Sequence, residues 1–517
     1  MASTLFCHFF VYVVFVFPIS ATLALARTFD DGSFFDLKTP KGEAERLIRS
    51  FNLFPKHDMN YHVGEASGYK MDKESRIVEK KIKFPFVLQT GEPVSDLGHH
   101  AGYYKIQHSK DARMFYFFFE SRSSSEASSK KERSSGKDPV VIWLTGGPGC
   151  ASELALFYEN GPFHITSNLS LTWNDFGWDK VSNIIYVDQP TGTGFSYSSD
   201  DADTRHNEEG VANDLYDFLQ EFFKGHPQFA GSDFYITGES FAGHYIPALA
   251  SRITEGNKNK EGIPINLMGM AIGNGLTNPE IQYQAYTDFA LDMKLLTQDQ
   301  YNSLKPAVLK CVEEAKLCGP DGGIKCEEAY GDCNYNLFNR MILAMKMGIN
   351  IYDIRKKCEG GLCYDYSNME KFLSLKSVKT ALGVGDVEFV SCSSKVYEGM
   401  LQDWMRNLEV GIPALLEEGI KLLVYVGEYD LICNWLGNSK WLDAMTWSGQ
   451  KKYLGASVIP FSVDGVEAGL QKGYGPLTFL KVHNAGHLVP MDQPKNSLEM
   501  LTRWMQGKSP LGQAGLL

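Results

Sequence analysis

Residues 234–243 read FYITGESFAG, an apolar strand-length run that ends in a serine set among small residues. Phe234–Thr237 has the composition of a buried strand. The next six residues, Gly238-Glu239-Ser240-Phe241-Ala242-Gly243, lead into a helix-like stretch. A serine on so sharp a strand-to-helix turn is lifted out at the C-terminal end of its strand, where its Oγ is free to attack. Only small neighbours fit such a turn. Ala242 stands where the strict G-x-S-x-G pattern has its second glycine, and Gly243 follows one residue later. The plainer reading of this hexapeptide is a serine that caps a helix.

A nucleophilic serine needs a base, and the base needs an orienting acid. For a turn of this kind the expected chain order is Ser, then Asp or Glu, then His. Asp430 follows the apolar run Leu422–Val426 in VGEYDLICNW, and His487 follows Phe479–Val482 in VHNAGHLVP. Both fall just after predicted strand ends, the rim where open α/β sheets bind ligands. His483 and His244 compete as bases, but the first lies within its strand and the second is four residues into the helix, facing away by spacing. The glycine loop Trp143-Leu144-Thr145-Gly146-Gly147-Pro148-Gly149-Cys150 allows close backbone approach. Gly147 and Phe241 are the expected donors of the two backbone N–H groups that hold a developing oxyanion. A phosphate cradle is the competing reading of this loop, but it lacks the P-loop lysine and the dinucleotide glycine spacing.

Outward from these residues, Pro139–Leu144, Asn183–Val187, Phe234–Thr237, Met268–Ile272, Leu422–Val426 and Phe479–Val482 read as buried strands separated by helical patterns. That alternation predicts a mostly parallel, doubly wound α/β sheet. Tyr103–Ile106 and Met114–Phe119 read as further strands, and 121–137 as a Ser/Lys/Glu surface loop. The stretch at about 278–400 breaks the rhythm and is expected to be a helical insertion rich in cysteine.

Among the 517 residues, 50 Lys and Arg against 62 Asp and Glu give a net charge of −12, which disfavours a nucleic-acid partner. Leu5–Ile19 (LFCHFFVYVVFVFPI) followed by Ala24-Leu25-Ala26 reads as a signal peptide over 1–26, with a membrane anchor as the alternative. The secretory route makes disulfides the expected state of the cysteines. Residues 27–83 are charge-rich, show no strand ladder, and are expected to be a propeptide, or else a subdomain that stays attached; 84–517 is the catalytic domain. Asn168-Leu169-Ser170 is the one N-x-[ST] sequon, so Asn168 is the expected glycan site.

Six stretches closely resemble the serine carboxypeptidases, most of all the plant type III branch. They are WLTGGPGCASELALFYENGPF (Trp143–Phe163), DQPTGTGFSY (Asp188–Tyr197), GESFAGHY (Gly238–Tyr245), IGNGLTNP (Ile272–Pro279), YDLICNW (Tyr429–Trp435) and HNAGHLVPMDQP (His483–Pro494). The resemblance implies an α/β-hydrolase fold and release of single C-terminal residues from peptides and proteins through an acyl-enzyme. By position it makes Ser240 the nucleophile, His487 the base and Asp430 its orienter. Glu239 and Glu159 would bind the substrate's terminal carboxylate, joined by Gly146 and by Thr145, which replaces the family's usual asparagine. Cys433 would be a free buried cysteine near the substrate pocket. Leu488 would line the pocket for the departing residue and favour a hydrophobic one.

Of the ten cysteines, Cys7 leaves with the signal peptide and Cys433 is by the same resemblance the free one, and the remaining eight allow 105 pairings. The resemblance suggests Cys150–Cys392, Cys311–Cys333, Cys318–Cys326 and Cys358–Cys363. No cofactor and no metal are called for, and the mature form needs no membrane. The cellular location is expected to be the vacuole or the extracellular space. Oligomeric state is open, a homodimer included. Acyl transfer from an activated ester, a general esterase and a non-catalytic binding or protective role are the competing functions; acyl-transferring relatives often carry Asp at the position of Glu239.

Overall fold

A computed structural model describes residues 77–82, 99–122, 138–319, 322–345, 348–360 and 362–507. The signal peptide, most of the expected propeptide and nearly all of the Ser/Lys/Glu loop lie outside these residues. The strands in chain order are β1 (Ile77–Lys81), β2 (His99–Lys105), β3 (Arg113–Phe119), β4 (Val140–Leu144), β5 (Phe163–Ile165), β6 (Leu171–Trp173), β7 (Asn183–Val187), β8 (Phe234–Glu239), β9 (Leu267–Gly273), β10 (Ile349–Asn350), β11 (Asp353–Lys357), β12 (Lys421–Gly427), β13 (Ile459–Val463), β14 (Val466–Tyr474) and β15 (Leu477–Val482). Eleven of them form one sheet in the order β1-β2-β3-β7-β4-β8-β9-β12-β15-β14-β13, while β5–β6 and β10–β11 are separate hairpins.

The middle of the sheet, β7-β4-β8-β9-β12-β15, is parallel throughout. These strands are apolar runs because helices cover both faces, leaving no solvent side for polar alternation. All five residues of β4 and of β7 are buried. One core cluster lies on each face of the sheet. Helix Glu208–Gly225 shows why such a cover forms. Asn207 caps its first turn by accepting from the Gly210 N–H, and Val211, Leu215, Phe218, Leu219 and Phe222 share one buried face. Truncating a side chain as buried as Phe218 typically costs about 3–5 kcal/mol.

Two features depart from the sequence reading. The expected propeptide, read as free of strands, supplies the edge strand β1, which pairs antiparallel with β2 from Ile77↔Tyr104 to Lys81↔His100. The far edge gains β13 and β14, also antiparallel. β1 and β14 mix charged residues with apolar ones, and the outermost strand β13 carries an exposed proline, Pro460.

The segment between β9 and β12 is the helix-rich insertion. It runs through helices Pro279–Asp292, Gln298–Cys318 and Ile324–Gly331, the β10–β11 hairpin, and helices Ser367–Ser374, Lys376–Leu382 and Ser394–Gly399. Disulfides join Cys311 to Cys333, Cys318 to Cys326 and Cys358 to Cys363 within it. Cys150–Cys392 ties it to the glycine loop, reinforced by Ala151 N–H donating to the Ser391 carbonyl and Ser393 N–H to the Gly149 carbonyl, each at 2.8 Å. Among the described residues, no helix is long and apolar enough to cross a membrane.

Candidate active site

Strand β8 ends at Glu239, and helix Ala242–Asn259 begins three residues later. The turn forces Ser240 into the left-handed region at φ +65°. Gly243 explains why its pattern tolerates Ala242: a Cβ at Gly243 would sit 2.4 Å from the Leu276 carbonyl oxygen, so this later glycine is the one the turn requires. The glycine loop lies directly against the serine. A Cβ on Gly146 would approach the Phe241 nitrogen to 2.5 Å and the Ser240 Cβ to 2.7 Å. Gly147 follows with φ +112°.

The parallel order β8-β9-β12-β15 brings the other two expected residues to the same rim. Asp430 comes just after β12, and His487 comes shortly after β15. His487 Nδ1 is 2.8 Å from Asp430 Oδ2, with both side chains buried. The same carboxylate oxygen accepts from Asn274 Nδ2 at 2.7 Å and from the Cys433 N–H at 3.3 Å, while Oδ1 accepts from the Ile432 N–H. An imidazole held through Nδ1–H leaves Nε2 free to take a proton from a hydroxyl. The competitors are engaged elsewhere: His244 Nδ1 meets the Leu276 carbonyl, and His483 lies between Glu428 and Glu467.

Glu159 and Glu239 are buried and hydrogen-bonded to each other. Burial is the main cause that pushes both carboxyls up, Glu159 to about 8, and the two acids together raise Glu239 further. Each keeps one oxygen, Oε2, buried with no protein partner. Two acids that share protons in this way can donate hydrogen bonds. Thr145 lies beside the loop and accepts from the Trp143 indole at 2.9 Å, which leaves its own hydroxyl hydrogen to donate. Cys433 is the buried free cysteine among the described residues, and one donor atom from each of Cys433, Asp430 and His487 falls within a 4.8 Å cluster. Leu488 is buried next to His487. Asn168 is exposed at the turn between β5 and β6.

Several neighbours escaped the sequence reading. Asn274 ties the strands together: its side chain bonds Asp430 and accepts from the Gly427 N–H, and the Ser240 N–H donates to the adjacent Gly273 carbonyl. Asp492 accepts from the Gly486 N–H and from Lys356, which anchors the histidine loop to the insertion. Tyr352 packs edge-on against His487 at 5.2 Å, and its carbonyl accepts from the His487 N–H. Behind the glycine loop, Asp188 accepts from the Ser152 and Phe195 N–H groups and pairs with the buried Glu153. Asn274 and Asp492 lie inside the quoted family stretches, which is the one signal that could have flagged them.

A family model described as serine carboxypeptidase matches residues 89–507. Serine carboxypeptidase-like 48 of Arabidopsis thaliana is 61% identical over 483 residues, covering 92% of this chain and 91% of the relative. Serine carboxypeptidase 3 of Oryza sativa subsp. japonica is 60% identical over 473 residues, covering 92% and 91%. Among solved structures, the prohormone-processing carboxypeptidase Kex1(Δ)p of Saccharomyces cerevisiae is similar with a TM-score of 0.70 and 27% identity, covering 80% of this chain and 92% of that one. With an α/β-hydrolase sheet, a serine on its tight turn and a buried His–Asp pair at the same rim, the chain belongs to the serine carboxypeptidase family of hydrolases.

Proposed function

We propose that the protein releases single C-terminal residues from peptides and proteins in acidic surroundings, through an acyl-enzyme on Ser240. The observation that carries this reading is the buried Glu159–Glu239 pair one residue from the nucleophile. A general esterase has no use for two protonated acids there; a substrate ending in a carboxylate does.

In this mechanism Ser240 Oγ attacks the last peptide carbonyl while His487 Nε2 takes its proton. The oxyanion is held by the N–H groups of Gly147 and Phe241. Asp430 stabilises the imidazolium, which then protonates the departing amine. Water, activated by the same histidine, releases the acyl group from Ser240. Glu159, Glu239, Thr145 and the Gly146 backbone fix the terminal carboxylate and so limit cleavage to one residue. The buried Leu488 and the Tyr352 ring, both beside His487, support a preference for hydrophobic C-terminal residues. Disulfide-rich build and the signal-like N-terminus support passage through the secretory pathway to the vacuole or the extracellular space. Removal of 1–26, cleavage after a propeptide ending near 83 and a glycan on Asn168 complete the proposed mature form.

The test is hydrolysis at pH 5 of a blocked dipeptide against turnover of a glucose ester, combined with titration by an organophosphate. Preferred dipeptide hydrolysis with one label on Ser240 is expected. Preferred ester turnover would indicate acyl transfer, and absence of a covalent label would indicate a non-catalytic role.

A further inference from the structure

The strand β1 is fastened to β2 along one edge and to the domain on both of its faces. Its ladder to β2 runs through five residue pairs and is extended by the Ile82 N–H donating to the His99 carbonyl at 2.8 Å. On one face the Glu79 carboxylate accepts from Tyr116 Oη at 2.5 Å and meets His100 Nδ1 and His226 Nε2, each at 3.0 Å. These three partners come from β2, β3 and the end of helix Glu208–Gly225. They hold the Glu79 carboxyl well below the usual carboxylate range against the opposing effect of burial. On the other face Lys80 Nζ donates to the Thr380 carbonyl at 2.7 Å, within insertion helix Lys376–Leu382. Ile82 is buried in a core cluster. The receiving strand is shaped for this contact: a Cβ at Gly102 would lie 2.4 Å from the Val78 carbonyl oxygen and 2.6 Å from the Glu79 Cα.

We infer that Ile77–Lys81 is a docking strand that keeps the N-terminal segment bound to the hydrolase domain after the chain is cut between 83 and 98, with Glu79 as its clasp. The inference rests on the proposed reading of 27–83 as a propeptide. Cleavage and departure then become separate events, because residues 8–149 contain no cysteine to tie the fragment covalently. Staying bound has a physical benefit: it covers the N–H and C=O groups of β2 and leaves as the outermost strand a short one that carries Lys80 and Lys81, which disfavours pairing with other chains. The docked strand does not obstruct catalysis. It lies five strand positions from β8, or about 24 Å at roughly 4.8 Å per strand.

The test introduces a recognition site for a specific protease between Phe84 and Leu97 of the full chain, cuts it, and separates the products by native size exclusion with mass readout. The fragment ending at the cut is expected to co-elute with the hydrolase domain and to separate in denaturant. Glu79→Gln and, independently, Gly102→Ala are expected to move it to the low-mass fractions while near-ultraviolet circular dichroism of the domain stays unchanged. Separate elution of the wild-type fragment, or equal retention in both variants, overturns the inference. Because the cut is introduced, the result does not depend on whether natural processing occurs, which N-terminal sequencing of the mature protein reads separately.

Discussion

Replacing Glu159 by glutamine isolates the role of the buried acid pair. In the wild type the Glu159 carboxyl is pushed up to about 8, first by burial, so it is protonated at pH 5 and half ionised near pH 8. Ionisation removes a hydrogen-bond donor and places a negative charge beside the substrate's own carboxylate. At about 4 Å and an effective dielectric near 20, that repulsion is on the order of 4 kcal/mol, about a thousandfold in binding. Activity on a free C-terminus then follows the protonated fraction: kcat/KM falls by about half at pH 8 and about tenfold at pH 9. Glutamine keeps a donor and cannot ionise, so Glu159→Gln should hold its plateau above pH 8. The assay compares a blocked dipeptide with its C-terminal amide from pH 4.5 to 9. The free acid alone should show the alkaline loss. Superimposable profiles for the two substrates, or the same alkaline fall in Glu159→Gln, would refute the reasoning.

Ser240→Ala should lower kcat by about four orders of magnitude or more and abolish organophosphate labelling, while the circular dichroism spectrum is unchanged. Asn274→Gly, which suits the φ of +42° at that position, removes the 2.7 Å bond to Asp430. It should cut kcat roughly 10- to 100-fold with KM nearly constant, since the residue positions the acid and does not touch substrate; an equal rise in KM would contradict that role. Stability should fall with rising pH. Burial pushes Asp188 up to about 6 and Glu159 up to about 8, so the folded chain keeps protons that the unfolded chain gives up. For these groups stability is full below about pH 4 and is lost progressively up to about pH 8. The loss between pH 5 and 8 is on the order of 5 kcal/mol, read as a lower Tm at pH 8.

The core of the fold was legible because parallel strands covered on both faces must be apolar along their whole length, as VVIWL and NIIYV are. Edges follow another rule. IVEKK in β1 and VEAGLQKGY in β14 mix charge with apolar residues because one side faces water, and such a pattern looks like loop in a single sequence. The serine, aspartate and histidine positions could be read from their chain order and the strand before each. Asn274 could not: it acts on a partner 156 residues away, and nothing in an asparagine after a strand announces that contact. Tyr352 and Asp492 are hidden in the same way, since their roles exist only once the insertion folds over the histidine loop.

The Cys150–Cys392 bridge makes the fastening of the glycine loop depend on the compartment the chain is in. It joins positions 242 residues apart, and one end is in the loop that carries the expected oxyanion donor. A chain still emerging during synthesis has the glycine loop long before residue 392 exists to lock it, and His487 arrives later still. In a reducing cytosol the bridge would not persist. The glycine loop of this hydrolase-family chain is therefore fastened late, only after residue 392 has been made and only under oxidising conditions.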